Sequence, residues 1–510
     1  MKKSARLVWQ RRPSGFVIVK DVLGERLLIF GPEITRIMCR LTSAILLLLL
    51  SGGVTQSYSA AQIIIRQTLD SPRLVALKKG LESGSADTLA EFWREVARQG
   101  APLVEPIKGD DQNLLVTFLW RDGAAQKFVA VFPFARVNPL PHLMAHLEGS
   151  DVWYKSYRLR RDAHFEYLVS ANDSLTPFAV QEPTDEGGWM ASLQPDPLNP
   201  HKLVEPKDQE SPDSREDVSS VVELPGTPPQ PFVASRPGVL KGRVQLIRYE
   251  SRALKDTRRV WVYTPPGYKP EGRPYRLLVF FDGWQYTHQI PTPTILDNMI
   301  AEGAIPPMVA VMIDHLDRVK ELYLNQSFAD FVAGELVPWV RREYHVTRSP
   351  SESVIAGLSL GGVAASYTAM RHPEVFGNVL SQSGSYQYMP NDPEGLIRQF
   401  VARARLPIRF YLEAGLMEVN ESPSLLHSNR HLRDVLEAKG YEVIYSEFNG
   451  RHDSICWRGS LSQGLVALTR YDRPVTAGTQ RPGTSGLFSD RLLGIQNRSG
   501  ASDFYNSTPR

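Results

Sequence analysis

Cysteine is scarce in this 510-residue chain: Cys39 and Cys456 are the only two, so at most one disulfide can form, and a disulfide framework is excluded. Charge of one sign is also lacking. Lysine and arginine number 58 against 55 acids, a balance of +3 with no basic block or aromatic-interleaved basic stripe, which excludes nucleic acid as a partner. No repeat of fixed period is visible. Long apolar runs are missing as well, because the one extended run, residues 44–50, is much shorter than the ~20 residues of a spanning helix.

That short run follows Arg36 and Arg40 and precedes the small-residue stretch 57–61, which is the layout of a secretory signal. Met38 is then read as the true start, with 1–37 an upstream extension and 38–60 a signal peptide cleaved near Ser59 or Ala60. The location this implies is periplasmic, without a membrane span after cleavage. The alternatives are a cytoplasmic protein and one anchored by an uncleaved signal. Cys39 would leave with the signal, and Cys456 is given a structural role beside the loop that follows the last strand.

What is present describes a two-domain globular protein: 42% hydrophobic and 22% charged residues. Residues 86–98 predict a helix with Leu89, Phe92, Trp93 and Val96 on one stripe, and strands are expected at 114–120, 126–134 and 164–170. From 201 to 237 the chain is rich in Pro, Ser, Asp and Glu, which predicts a mobile linker. Beyond it, 244–249 and 258–263 read as early strands, and 277–281 and 308–313 as apolar ones. A helix face of Phe328, Phe331, Val332, Leu336 and Val340 follows. Strands alternating with helices predict a mostly parallel sheet. A disordered tail is expected over 473–510.

The stretch Ala356 to Gly362 (Ala-Gly-Leu-Ser-Leu-Gly-Gly) fits a strand-to-helix turn presenting Ser359 as nucleophile, with Gly357 and Gly361 where the strand and helix backbones pass too closely for a β-carbon. Such a serine needs a base, a group to hold the base, and donors for the oxyanion; in α/β-hydrolases these follow in the chain order serine, acid, histidine. His452, in the loop after a strand ending at Phe448, is the general base. Glu418, just beyond the strand 408–413, is the acid by position, with Glu413 and Asp453 as alternatives. The oxyanion donors are the backbone N–H of Leu360 and one from Gly283 or Trp284, in the loop after 277–281.

With these residues in place, the chain resembles the enterochelin (enterobactin) esterase family. The resemblance is carried by Phe281-Asp-Gly-Trp284, Ile313-Asp-His-Leu-Asp-Arg318, Gly357 to Gly362, Leu380-Ser-Gln-Ser-Gly-Ser-Tyr386, Leu412-Glu-Ala-Gly415 and His452-Asp-Ser-Ile-Cys-Trp-Arg-Gly459. It extends upstream through Leu147 to Trp153 and Pro195 to Pro200. It implies an α/β-hydrolase catalytic domain (238–472) preceded by a smaller β-sandwich of Ig-like, early-set type (61–200). The implied activity is hydrolysis of the trilactone esters of ferric catecholate siderophores such as enterobactin. The partner is then a small molecule, and no cofactor is implied, iron arriving only as part of the substrate. A ferric tris-catecholate is a trianion with aromatic rims, so Arg318, Arg451, Arg458 and Trp284 are its expected contacts. Two other readings remain: an esterase D-like acyl or feruloyl esterase acting on carbohydrate-linked esters, and a protein that only binds siderophore.

Overall fold

The structure, a computed structural model, describes residues 68–469 apart from 85–86, 123–127, 134–138, 176–191, 213, 389–391, 393–394 and 420–423. Three short strands near the N-terminus are also described, Val8–Arg11, Val17–Lys20 and Leu27–Phe30, which form an antiparallel sheet of their own. The expected signal 38–60 and tail 473–510 lie outside the described residues. Among the described residues no helix is long and apolar enough to cross a membrane.

Two helices open the main body, α1 (Pro72–Glu82) and α2 (Thr88–Gln99). The second is the helix expected over 86–98, and it buries Phe92, Trp93 and Val96. Nine strands follow: β1 (Leu103–Ile107), β2 (Asp110–Arg121), β3 (Val129–Phe132), β4 (Ala145–His146), β5 (Val152–Arg160), β6 (His164–Ala171), β7 (Leu193–Gln194), β8 (Lys202–Glu205) and β9 (Asp217–Glu223). They form one sheet in the order β1-β2-β5-β4 and a second in the order β7-β6-β9-β8, with β3 also on β6. Alternate residues of both sheets, Val116 and Phe118 from one and Phe165, Tyr167, Val169 and Val222 from the other, meet in a single apolar cluster, as period-2 strands with one buried face require.

The linker expected over 201–237 is therefore corrected, because β8 and β9 lie inside it and pair with each other, and β9 pairs with β6. Composition misreads this stretch since its inward residues include Ser220, fully buried. The Ser220 hydroxyl accepts hydrogen bonds from the Asp196 amide and the Lys202 ammonium, both at 2.9 Å. A buried hydroxyl with partners packs where apolar residues were sought.

The larger sheet has eight strands: β10 (Arg243–Ser251), β11 (Asp256–Thr264), β12 (Arg276–Phe280), β13 (Met308–Ile313), β14 (Ser353–Leu358), β15 (Asn378–Gln382), β16 (Arg409–Gly415) and β17 (Glu442–Phe448). Their order is β10-β11-β13-β12-β14-β15-β16-β17. The β10–β11 and β11–β13 pairs are antiparallel and all later pairs parallel. Every residue of β13 and β14 is buried, as strands covered by helices on both faces must be. The covering helices that matter below are α3 (Leu360–Arg371), α4 (Leu425–Ala438) and α5 (Ser454–Thr469). This is an α/β-hydrolase sheet, and its parallel strands send their C-terminal loops to one edge, where such folds bind ligands.

Candidate active site

Ser359 links β14 to α3 with φ +56° and ψ −122°, backbone that a serine adopts only under constraint. The constraint comes from its flanks. A β-carbon on Gly357 would run into the carbonyl of Gly361, and one on Gly361 would lie 2.6 Å from Asp282 Oδ2. Both glycines are thus required, as the sequence pattern predicts. Asp282 and Ser383 also have positive φ, 54° and 47°, and each lies just beyond a parallel strand, β12 or β15. Three positive-φ residues thus stand on one edge of the sheet.

The same edge carries His452 and Glu418. His452 stands in the loop between β17 and α5, and its Nδ1 lies 2.9 Å from Glu418 Oε1. Glu418 follows β16, and its second oxygen accepts the Gly415 N–H at 2.9 Å. The two alternative acids turn elsewhere. Glu413 points into the interior, accepting from Gln382 Nε2 at 2.9 Å and the Ser460 hydroxyl at 2.5 Å, and its burial pushes the carboxyl up to about 7. Asp453 accepts the amide of Glu166 at 3.1 Å and that of Cys456 at 3.1 Å. Burial and the Glu166 charge hold its carboxyl well above the usual range.

Ser359 contacts the turn after β15 directly, and His452 approaches that turn through Trp457. The serine hydroxyl is 3.1 Å from Ser385 Oγ, and the Ser385 amide donates to the Ser359 carbonyl at 3.0 Å. Two residues earlier, Ser383 Oγ accepts from Trp457 Nε1 at 3.0 Å, and the Trp457 ring stands edge-on to His452 with centroids 4.7 Å apart. Thus Ser359 is hydrogen-bonded to Ser385 rather than to the imidazole. Ser383 and Ser385 stand in the motif Leu380 to Tyr386 that carries the resemblance, but sequence reasoning assigned them no part.

The loop after β12 packs against the elbow, Phe281 N donating to Ala356 O at 3.1 Å. Gly283 and Trp284 open a helical turn, as Leu360 opens α3, and N–H groups of a first turn have no acceptor within the helix. The Trp284 ring stacks on His288 at 3.6 Å.

The arginines expected at the substrate each have protein partners. Arg318 forms a bidentate pair with Asp282, 2.7 and 2.9 Å, beneath this loop. Asp282 is fully buried, which alone would raise its carboxyl; Arg318, with His315 3.3 Å away, outweighs burial and holds it low. Arg451 donates to the Glu166 carbonyl at 2.8 Å and the Phe132 carbonyl at 3.3 Å. Arg458 donates to Gln230 at 3.1 Å. All three guanidinium groups thus have protein partners from distant parts of the chain. A cavity of about 240 Å³ opens beside His452, lined by Glu166, Glu205, Arg451, Asp453 and Trp457 among others. Cys456 is buried, its Sγ 3.2 Å from the His164 carbonyl, and burial pushes its thiol far up, which leaves it inert.

Comparison with known proteins adds independent findings. The family profile described as "Enterochelin esterase, N-terminal" matches residues 115–233, and the one described as "Putative esterase" matches 251–468. The iron(III) enterobactin esterase of Dickeya dadantii is 30% identical over 436 residues, covering 76% of this chain and 94% of that protein. That of Escherichia coli K12 is 28% identical over 417 residues, covering 78% and 98%. Among solved structures, an enterobactin esterase from Shigella flexneri, crystallised in the presence of enterobactin, superposes with a TM-score of 0.58 at 29% identity, covering 74% of this chain and 97% of that one. A ferric enterobactin esterase from Salmonella typhimurium gives 0.60 at 28% identity, covering 74% and 98%.

Proposed function

The chain belongs to the enterobactin esterase family, and we propose that it hydrolyses the ester bonds of a ferric catecholate siderophore of the enterobactin type. It is a carboxylic ester hydrolase. In the proposed chemistry the Ser359 hydroxyl leaves Ser385, turns to His452 and attacks the ester carbonyl. His452 Nε2 takes the hydroxyl proton and returns it to the departing alkoxide, leaving an acyl group on Ser359. Water, deprotonated by the same nitrogen, then releases the acid and restores the serine. Glu418 fixes the ring through Nδ1 and stabilises the imidazolium. The oxyanion is met by Leu360 N–H and by Gly283 or Trp284 N–H. One observation carries this reading: the 2.9 Å His452–Glu418 hydrogen bond on the loop edge that also holds the strained serine.

Several further parts belong to the same reading. The nine N-terminal strands form the family's β-sandwich, supported by their shared cluster, and that domain runs to about residue 233, where the profile match ends. Iron enters only with the substrate, and the enzyme carries no resident cofactor. Export rests on the 38–60 stretch and is tested by sequencing the mature N-terminus; cytosolic protein still starting at Met1 reverses it. The substrate is tested by incubating purified wild type and Ser359→Ala with ferric enterobactin and following trimer, dimer and monomer by mass spectrometry. Wild type is expected to consume the trilactone while the variant leaves it. Intact trilactone with wild type rejects the assignment.

A further inference from the structure

The loop bearing His452 is bound on its far side by the N-terminal sheet, through four backbone groups of two alternate residues of β6. His164 N–H donates to the Asn449 carbonyl at 3.1 Å, and the His164 carbonyl accepts from Cys456 Sγ at 3.2 Å. Glu166 N–H donates to Asp453 Oδ2 at 3.1 Å, and the Glu166 carbonyl accepts from Arg451 at 2.8 Å. In an antiparallel strand, alternate residues direct both polar groups to the same side. The loop therefore occupies the edge that His164 and Glu166 present, as another strand would. Asn449 Nδ2 adds a bond to Asp162 at 2.8 Å.

The neighbours of His452 on either side, Arg451 and Asp453, are both fastened to Glu166. Asp453 does more, since its other oxygen accepts the Cys456 amide at the start of α5, the position of a helix N-cap. One carboxylate thus joins the histidine loop, the last helix and the N-terminal sheet. His452 itself has one side-chain hydrogen bond, to Glu418, so the direction of Nε2 depends on how its backbone is held.

We propose that Asp453, with Arg451, is a positioning residue through which strand β6 of the N-terminal sheet aims His452 at Ser359; this rests on His452 being the general base. On this account the N-terminal domain completes the catalytic machinery instead of only adding surface for substrate.

The test uses full-length Asp453→Asn, Arg451→Met and Arg451→Lys, with His452→Ala as reference, on an aryl ester and on ferric enterobactin. Displacing a catalytic group by about an ångström costs up to about 100-fold. Asp453→Asn and Arg451→Met are expected to lower kcat between about 10- and 100-fold on both substrates, with KM changed less than about 2-fold, in protein whose circular dichroism is that of wild type. Labelling of Ser359 by a fluorophosphonate should slow in parallel, and Arg451→Lys should recover part of the rate. Folded variants with wild-type kcat, or with only KM raised, overturn the proposal. An active His452→Ala instead overturns the general-base reading beneath it.

Discussion

Two glutamates five residues apart, Glu413 and Glu418, have opposite surroundings, and replacing each by glutamine separates catalysis from stability. Glu418→Gln presents an amide where a carboxylate held the imidazole, and loss of that orientation should lower kcat by about 10³- to 10⁴-fold. Glu413→Gln should leave kcat within about 3-fold, since its carboxyl is bonded to Gln382 and Ser460 in the interior and contributes to stability alone. Its effect is on pH dependence. Burial lifts Glu413 from the ordinary 4.5 to about 7, so the folded protein keeps a proton that the unfolded chain releases between these values. Stability must then fall as pH rises through that window and stay level beyond it. At ~1.4 kcal/mol per pH unit the loss is about 3 kcal/mol. Glutamine has no proton to release, so the variant should gain about that much on wild type between pH 4.5 and 8. Urea unfolding at a series of pH values reads this directly. Parallel stability curves refute the assignment of a buried neutral Glu413, and equal losses of kcat in the two variants refute the choice of Glu418 as the acid.

Other outcomes follow from the same geometry. Gly361→Ala should lower kcat by at least about 100-fold, measured on an aryl ester, because its β-carbon would displace Asp282; activity near wild type would mean the elbow can relax. Arg318→Met removes the guanidinium partner of a fully buried carboxylate, leaving only His315 beside it, and should cost about 3–5 kcal/mol in urea unfolding. Adding Asp282→Asn should restore most of it, whereas a stable Arg318→Met with raised KM would return Arg318 to the substrate.

Legibility in the sequence followed the range of the interactions. The parallel sheet could be read from apolar blocks such as Met308–Ile313, and the elbow from Gly357 and Gly361, because burial and backbone clash act on neighbouring residues. The pairing of His452 with Glu418 was legible from chain order and strand ends. The arginine partners were not. Arg318 reaches Asp282 36 residues away and Arg451 reaches Glu166 across 285, and nothing local distinguishes a guanidinium facing solvent from one answering a buried acid. Strands β8 and β9 were hidden for a related reason: the groups that satisfy the Ser220 hydroxyl, on Lys202 and Asp196, stand 18 and 24 residues away. Ser385 was visible in the motif, but its contact with the nucleophile needed the turn after β15.

The central claim is that Ser359, activated by His452 and Glu418, carries the acyl group. Mapping the site of covalent attachment after brief exposure to an aryl ester at low pH, with peptide mass spectrometry, tests it directly. The account predicts an acyl adduct on the peptide holding Ser359 in wild type and none in His452→Ala. An adduct on another residue, or full turnover by Ser359→Ala, would contradict it.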